Sequence, residues 1–206
     1  MCNRYGYRHP YRQLLEEFSD LGPIRWAGLE PNAPRDDIRP TDPAPIIREV
    51  GGELELAELR WGLIPWYHQG PTKGWKVLGT NARSESCATT SMYKEPFRRR
   101  RCLVPATHFF EWTGEKGRKT MWRFSAANGE PFAFPGLWDR ARTSDGPVES
   151  FTLLTCAPGP DAAPYHDRQP VILGRASWPR WLDLDADPAP LLRPGPAGSL
   201  AVARVS

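Results

Sequence analysis

Proline is the feature that most limits the folds open to this chain. It occupies 23 of the 206 positions, about 11% against an average near 5%. Because proline lacks a backbone donor and breaks the interior of a helix, this density excludes a helical bundle. It favours short strands joined by turns and extended loops. We therefore predict an α+β protein with a single β-rich domain over residues 1–206, a curved-sheet or barrel-like core and short peripheral helices.

The rest of the composition is typical of an ordinary globular domain. Hydrophobic residues make up 40% of the chain and charged residues 25%, and no apolar run approaches the ~18 residues of a membrane span. The N-terminal residues contain no apolar signal segment. Four cysteines without a C-x-x-C pair and four histidines show no zinc-ligand spacing. We expect a cytoplasmic protein with free thiols, no metal and no cofactor.

Hydrophobic spacing and turn residues predict the individual elements. Leucine and phenylalanine recur at helical spacing between residues 10 and 21, which predicts a helix. Gly51-Gly52 predicts a hairpin over residues 46–61, and Asn128-Gly129 predicts a second hairpin over residues 121–134. The other predicted elements are an extended loop at 30–45, helices at 84–91 and 178–182, and strands at 102–104, 109–112, 151–156, 171–173 and 199–205.

Charge is distributed unevenly along the chain. Residues 16–60 contain 5 Lys/Arg against 11 Asp/Glu, whereas residues 72–123 contain 12 against 4. A solvated surface is one interpretation of such a pattern. The basic block also contains Trp75, Trp112 and Trp122, and cationic grooves with aromatic platforms hold single-stranded nucleic acids.

Cys2 is the most informative single residue. Removal of Met1 would leave a cysteine with a free α-amine, whose reference pKa near 7.7–8.0 keeps a useful fraction neutral at pH 7. Such a 1,2-aminothiol condenses with an aldehyde to an imine, and the thiol then closes a thiazolidine ring. The alternative is that a cysteine at position 2 is accidental, as it is in most proteins.

Three further residues are candidates for chemistry, each with a structural alternative. His166 precedes a predicted strand and is either a proton shuttle or a structural hydrogen-bonding group. Glu111 stands among three aromatic residues, where burial would raise its pKa, or it points to water at a strand edge. Asn81 is either a helix N-cap or a ligand for a sugar hydroxyl or phosphate. The run Arg98–Arg101 is either a binding surface or merely solvated.

Taken together, these residues lie in motifs that resemble one family. Seven stretches match in the family's order and span nearly the whole chain: residues 1–5 (MCNRY), 60–65 (RWGLIP), 80–85 (TNARSE), 101–105 (RCLVP), 109–112 (FFEW), 132–138 (FAFPGLW) and 166–173 (HDRQPVIL). The chain thus resembles the SOS-response-associated peptidase family, also described as abasic-site processing proteins. Collinear motifs in this number are far more specific than any one of them.

The resemblance implies a DNA-damage function. Cys2 would capture abasic sites in single-stranded DNA through a thiazolidine after self-removal of Met1, with lyase-type chemistry beside it. Asn81 would hold the cysteine amine and the sugar, and Glu111 and His166 would move protons. The residues that would line the DNA path are Asn3, Arg4, Pro40, Trp66, Tyr67, Arg83, Thr155 and Arg168. The protein would be a monomer that associates with the nucleoid when bound to DNA.

The chain departs from the family pattern at three positions. Asn3 replaces a usual glycine, Asp37 replaces an asparagine and puts an acid near phosphate unless Arg39 offsets it, and Phe110 replaces a tyrosine. Two other functions stay open from the residues alone. One is a cysteine peptidase that uses Cys2 and His166 on other proteins. The other is a non-covalent reader of single strands or modified bases.

Overall fold

The computed structural model describes residues 2–27, 34–115 and 117–206, and most of the regular structure in these ranges is β-strand. The strands are β1 Tyr5–Tyr7, β2 Ile24–Trp26, β3 Arg35–Ile38, β4 Pro43–Val50, β5 Glu53–Trp61, β6 Asn81–Arg83, β7 Arg101–Ala106, β8 His108–Thr113, β9 Thr120–Ala126, β10 Phe132–Thr143, β11 Gly146–Cys156, β12 Gln169–Pro170 and β13 Leu200–Arg204. The helices are α1 Tyr11–Glu17, α2 Lys94–Arg99 and α3 Trp178–Leu182, with short 3₁₀ turns at Ser19–Leu21, Thr72–Gly74, Arg175–Ser177 and Ala189–Leu191.

Five strands close into a barrel. Strands β5, β4, β7, β10 and β11 lie side by side in that order, and β11 returns to pair in parallel with β5. Closure removes most exposed strand edges. The short strands β2, β6 and β12 extend this sheet outside the ring. The predicted α+β, β-rich fold with a barrel-like core and short helices is confirmed.

A second sheet packs against the barrel and contains the start of the chain. Its strand order is β13-β9-β8-β1-β3. Tyr5 of β1 packs edge-to-face on Trp61 of β5 and Phe134 of β10, with ring centroids 5.0 and 5.5 Å apart. Phe109 of β8 stacks on Phe124 of β9 at 4.8 Å. This shared aromatic cluster fixes the N-terminal segment against the barrel wall.

The helices cover the barrel from outside. Helix α1 and the 3₁₀ turn that follows it confirm the predicted helix near residues 10–21, and Phe18 between them stacks on Trp178 at 3.9 Å. Trp181 of α3 donates its indole N–H to the carbonyl of Cys102 at 2.8 Å, which ties α3 to β7. The predicted helix at 178–182 and the last strand are also confirmed.

Of the two predicted hairpins, one is confirmed and one is wrong. Strands β4 and β5 pair around Gly51-Gly52 as predicted. Asn128-Gly129 does form a turn, with Gly129 N–H bonded to the Ala126 carbonyl at 3.0 Å, but its flanking strands enter different sheets. Strand β9 pairs with β8 and β13, whereas β10 pairs with β7 and β11. A turn signal is local, and the pairing was decided by the tertiary core.

Three smaller predictions also need correction. The predicted helix at 84–91 is a series of turns, because the Thr89 and Thr90 hydroxyls bond to the Ser86 carbonyl and compete with the helical backbone pattern. The predicted loop at 30–45 contains β3, which pairs with β1, and the first residues of β4; its residues 30–33 lie outside the described residues. The predicted strand at 171–173 is replaced by β12 and one isolated bridge at Leu173.

Gly136 of β10 is a close-packing point of the barrel wall and gives a stability prediction. A Cβ there would meet Cys102 Sγ and Val104 Cγ2 at 2.8 Å and the Thr152 carbonyl at 3.2 Å. We expect Gly136→Ala to lower the free energy of unfolding by about 1–3 kcal/mol through overpacking. Gly174→Ala is the matched control, because a Cβ at Gly174 meets nothing within 4 Å. Urea denaturation of both variants measures this, and equal stabilities would contradict it.

Candidate active site

Cys2 lies three residues before the start of β1 and is fully buried. Antiparallel pairing of Tyr5 with Phe109 brings the start of the chain alongside β8 and therefore beside Glu111. The Cys2 thiol donates a weak hydrogen bond to the Arg4 carbonyl at 3.5 Å. Burial raises the pKa of this thiol well above its ordinary value, and the nearby Glu111 charge adds to the effect. The sulfur is therefore a thiol at neutral pH and needs a base before it can attack.

Asn81 holds the backbone of Cys2. Its Nδ2 donates to the Cys2 carbonyl at 2.8 Å and to Thr80 Oγ1 at 3.2 Å. Asn81 begins β6, which pairs in parallel with β11, so the alternative as a helix N-cap is wrong. The Trp61 indole N–H bonds to the Thr80 carbonyl at 2.9 Å and fixes the approach to this strand. Asn81 Oδ1 is buried without a hydrogen-bond donor among the described residues, and it lies beside the backbone of Cys2.

Glu111 is a buried carboxyl group on β8, 3% exposed. Desolvation by burial raises its pKa to about 7, and the charge of Asp167 acts in the same direction. The alternative, in which Glu111 points to water from a strand edge, is therefore wrong. A carboxyl group that titrates near neutral pH can both accept and donate a proton under physiological conditions.

His166 stands in the loop between β11 and β12, opposite Glu111. The Arg168 backbone N–H donates to its Nδ1 at 3.0 Å, so the neutral ring has its proton on Nε2. Nε2 lies 3.9 Å from Glu111 Oε2, just beyond direct hydrogen-bond distance. When Nδ1 is protonated, Asp167 Oδ1 at 2.8 Å can accept that proton. Burial lowers the pKa of His166, which favours the neutral ring.

Two sets of contacts fix the loop that contains His166, one at its base and one next to the histidine. Gln169 Oε1 accepts from Gly159 N–H at 2.7 Å and closes the base of the loop. Tyr165, next to His166, packs on Trp122 and Phe124 of β9 with centroids 4.8 and 5.4 Å apart. These contacts fix the histidine ring in place before any substrate binds.

Arg4, a predicted DNA contact, pairs with Asp37 through two hydrogen bonds of 2.6 and 3.0 Å. Arg39 also pairs with Asp37, at 2.7 Å, and these arginines lower the pKa of Asp37. The acid that departs from the family pattern is thus neutralised, as the sequence required. The Arg4 guanidinium also lies 5.1 Å from the ring of Phe110, so the aromatic face serves here without a tyrosine hydroxyl.

Arg168 is held by an exposed carboxylate that the sequence analysis did not single out. Its guanidinium pairs with both oxygens of Glu85 at 2.7 and 2.9 Å and donates to the Thr155 carbonyl at 2.8 Å. Thr155 itself is fully buried, and its hydroxyl donates to the Ala82 carbonyl at 3.3 Å. Thr155 therefore positions Arg168 from within. The signal for Glu85 was its place at the end of the TNARSE motif.

The remaining predicted DNA contacts lie at the surface. Trp66 is 58% exposed and Tyr67 41%, large values for aromatic residues, and their rings meet edge-to-face at 5.8 Å. Asn3 and Arg83 are exposed and Pro40 is half-buried. Next to Pro40, Thr41 has a φ of 80°, which is strained for a β-branched residue. Exposed aromatic faces next to arginines are what a nucleic-acid strand stacks on.

Comparison with known proteins assigns the chain to a family. The model of the SOS response associated peptidase (SRAP) family matches residues 1–206. The chain belongs to this family. The resemblance seen in the sequence motifs is thereby confirmed.

Individual proteins are similar to this SRAP chain in sequence or in fold. The abasic site processing protein YoqW of Bacillus subtilis is 29% identical, over 100% of this chain and 92% of its own length. A crystal structure of a protein from Bordetella bronchiseptica is 28% identical with a TM-score of 0.80, covering 100% of both chains. A crystal structure from Bacteroides thetaiotaomicron has a TM-score of 0.87 at 21% identity, over 100% of this chain and 92% of the other, which shows the shared fold.

Three further observations concern the described part of this SRAP chain. Its four cysteines are all free and buried. Within residues 2–27, 34–115 and 117–206, no group of three or more His, Cys, Asp or Glu side chains could hold a metal ion. In the same ranges, no helix is long and apolar enough to cross a membrane.

Proposed function

We propose that this protein processes abasic sites in single-stranded DNA by capturing them covalently on Cys2. The main support is that Asn81, Glu111 and His166 lie close to the start of the chain. Asn81 Nδ2 donates a hydrogen bond to the Cys2 carbonyl at 2.8 Å. The name of YoqW, an abasic site processing protein, adds support.

The chemistry needs only the two groups of an N-terminal cysteine. Once Met1 is removed, the Cys2 amine adds to the aldehyde carbon of the ring-opened deoxyribose, and loss of water gives an imine. The sulfur then adds to the imine carbon, and the thiol proton ends on the nitrogen, which closes a five-membered thiazolidine. No oxidant is required, because the carbon stays at the oxidation level of an aldehyde.

Glu111 and His166 move the protons in these steps. The Cys2 thiol is protonated at neutral pH because burial raises its pKa, so ring closure needs a base. Glu111, whose pKa is about 7, accepts that proton and donates one to the departing hydroxyl in the imine step. Reversal of the same steps releases the strand. Lyase-type cleavage would proceed from the imine, and ring closure protects the strand by removing that species.

Removal of Met1 uses the same nucleophile. The Cys2 sulfur attacks the carbonyl carbon of the Met1–Cys2 bond, the acyl group moves from nitrogen to sulfur, and water hydrolyses the thioester. The products are free methionine and a chain that begins with Cys2. This is a peptidase reaction within the molecule.

The structure gives no observation that favours a peptidase acting on other proteins. Among the described residues, no hydrogen bond or ion pair joins Cys2 to His166. A nucleophile–base pair of the usual kind is therefore absent from this part of the chain.

The test uses two single-stranded oligonucleotides of the same sequence. One carries an abasic site with its aldehyde, and the other carries the tetrahydrofuran analogue, which has no aldehyde. We expect a band of slower mobility on a denaturing gel with the first strand alone. Intact mass of the purified protein should show that Met1 is missing. A shifted band with both strands, or with neither, would contradict capture; salt-sensitive binding without a band would favour the non-covalent reader.

The proposed DNA path runs over Arg4, Arg83 and Arg168, with Trp66 and Tyr67 as stacking faces. We further propose that the protein acts as a monomer in the cytoplasm and associates with the nucleoid when bound to DNA. Size-exclusion chromatography with light scattering measures the first, and the mass of one chain is expected. Fluorescence imaging of the labelled protein in cells with and without abasic damage measures the second.

Glu85 gives a prediction on affinity. Because it places a negative charge on the proposed path and pairs with Arg168, Glu85→Gln should bind single-stranded DNA a few-fold more tightly. The slope of log K against log salt should steepen by about 0.7, the value for one more phosphate contact on a single strand. Fluorescence anisotropy over a salt series measures both quantities. Glu130→Gln, an exposed acid that bonds to Asn128, is the control, and an equal gain there would contradict the role of Glu85.

A further inference from the structure

A groove of about 510 Å³ lies next to the exposed Trp66, and Cys2 is not among its lining residues. Its lining contains four arginines, two tryptophans and three acids: Arg48, Arg99, Arg100, Arg140, Trp66, Trp138, Glu95, Asp139 and Glu149. These arginines come from β4, from β10 and from the basic run at the end of α2. The groove therefore contains Arg99 and Arg100 of the Arg98–Arg101 run, which take no part in the candidate active site.

Three buried nitrogen donors of this lining have no acceptor among the described residues. They are Arg48 Nη1, Arg100 Nε and Trp138 Nε1. Arg48 is only 6% exposed, and its guanidinium lies 4.0 Å from the Trp138 ring centroid. Buried donors are nearly always paired in proteins. These three donors lie beneath the groove surface, so the groups that a ligand can reach are the exposed arginines Arg99 and Arg140.

The charges of the groove are only partly compensated. Arg48 pairs with Glu55 and Glu149 at 2.8 Å each, and Arg100 lies 3.3 Å from Asp139. Arg98 and Arg99 share the single carboxylate of Glu95, at 3.5 and 3.6 Å. Arg140 is exposed and has no ion pair within the described ranges. Four arginines of the lining face three carboxylates, so a surplus of one positive charge remains in the groove.

Asp139 connects this groove to the proposed DNA path. It is buried, and its carboxylate accepts from the backbone N–H of Trp66 at 2.9 Å and from that of Arg140 at 2.8 Å. Its ion pair with Arg100 joins a third element to the same point. The stacking face of Trp66 and the cationic groove thus share one rigid support.

We infer that this groove is a second anion site, which takes a backbone phosphate of the DNA strand after the strand has passed Trp66. The exposed Arg99 and Arg140 can donate to phosphate oxygens, and arginine matches phosphate geometry. The inference rests on the proposed function in one respect, which is that the ligand is a DNA strand. It extends the contact surface beyond the residues next to the abasic site.

The test measures binding of strands that carry the tetrahydrofuran analogue, so that no covalent bond can form. One strand is extended by ten nucleotides on the 5′ side of the analogue and the other on the 3′ side. For Arg99→Gln/Arg140→Gln we expect roughly 3–10-fold weaker binding of one of these strands, and a salt slope smaller by about 0.7–1.4. Arg118→Gln/Arg204→Gln removes the same charge from exposed positions elsewhere and should leave both affinities unchanged.

Each other result overturns the proposal. No loss in the variant excludes the site, and an equal loss for both strands or in the control shows a general charge effect. Inorganic phosphate, compared with chloride at matched ionic strength, should displace the affected strand from the wild-type protein but not from the variant. If phosphate binds at the groove while strand affinity is unchanged by the variant, the site takes free phosphate instead. Because the analogue has no aldehyde, this binding test does not depend on covalent capture. The groove proposal and the capture proposal can therefore fail separately.

Discussion

Cys2→Ala should form no covalent adduct with an abasic strand, whereas the wild-type protein should crosslink it to a large fraction. The variant has no sulfur to attack the Met1–Cys2 bond, so Met1 blocks the amine unless another peptidase removes it. In either case no sulfur is present to close the ring. Any imine that forms is reversible and is lost on a denaturing gel. The measurement is the shifted fraction after incubation with excess protein, and the expected change is from most of the strand to none.

Cys2→Ser separates the two groups of the aminothiol. Serine retains an amine and a hydroxyl of similar size, but the hydroxyl is a much weaker nucleophile than sulfur. We expect an adduct that is trapped only when borohydride reduces the imine, with no stable band in its absence. Intact mass must first establish that Met1 has been removed from this variant, because a retained Met1 blocks the amine and would by itself abolish both products.

Cys87→Ala is the matched control for thiol loss. Cys87 is buried like Cys2, and its thiol lies 3.5 Å from the carbonyl of Ser84, in the turns after β6. Its removal should leave the crosslinked fraction at the wild-type level in a protein that is still folded. A stable band in Cys2→Ala would end the proposal that Cys2 carries the adduct. Loss of the band in both variants would point to misfolding rather than chemistry.

The sequence predicted the fold correctly where the signal was local. The prediction failed where strand pairing depended on segments far apart in the chain. Gly51-Gly52 joined strands that pair with each other, and the proline content excluded the helical bundle correctly. Asn128-Gly129 has the same kind of turn signal, yet its two strands pair with β8 and β7, which precede both of them in the chain. Nothing in the turn distinguishes the two cases. The closed barrel also depends on the parallel contact of β11 with β5, which no sequence pattern records.

The sequence predicted which residues form the candidate site. It did not predict the hydrogen bonds and neighbouring groups that hold those residues in place. The order of the motifs named Asn81, Glu111 and His166, and burial among aromatic residues predicted the raised pKa of Glu111. The backbone N–H of Arg168 that sets the tautomer of His166 carries no sequence signal. The groove behind Trp66 was equally hidden, because its donors come from strands and a helix far apart in the chain.

Glu111→Gln should slow formation of the crosslink by about 10²–10⁴-fold, the usual contribution of a positioned acid–base group. Glutamine preserves the size of the side chain but cannot exchange the proton that imine formation and ring closure require. Affinity for the analogue strand should stay within about twofold, because Glu111 is buried on β8 and brings no positive charge to phosphate. Quenched time courses at saturating protein measure the rate, and anisotropy measures the affinity.

The pH profile gives a second readout of the same group. The pKa of Glu111 is about 7, raised by burial, so the carboxylate form that serves as base increases as the pH rises from 6 to 8. The wild-type rate of ring closure should rise over this range, and the variant should lose the part of the rise that Glu111 supplies. The amine of Cys2 titrates in both proteins and cancels in the comparison.

As the pH rises, the stability of the wild-type protein should fall while its rate of ring closure rises. A carboxyl group whose pKa is raised on folding binds more protons in the folded state between pH 4.5 and 7, so the wild-type protein loses stability as the pH rises through this window. Glu111→Gln has no such group and should be more stable than the wild type at pH 8, with a smaller difference at pH 5. Glu115→Gln, an exposed acid near the end of β8, should change neither rate nor stability. A slow rate combined with lost stability at pH 8 would mean that Glu111 supports the structure rather than the chemistry.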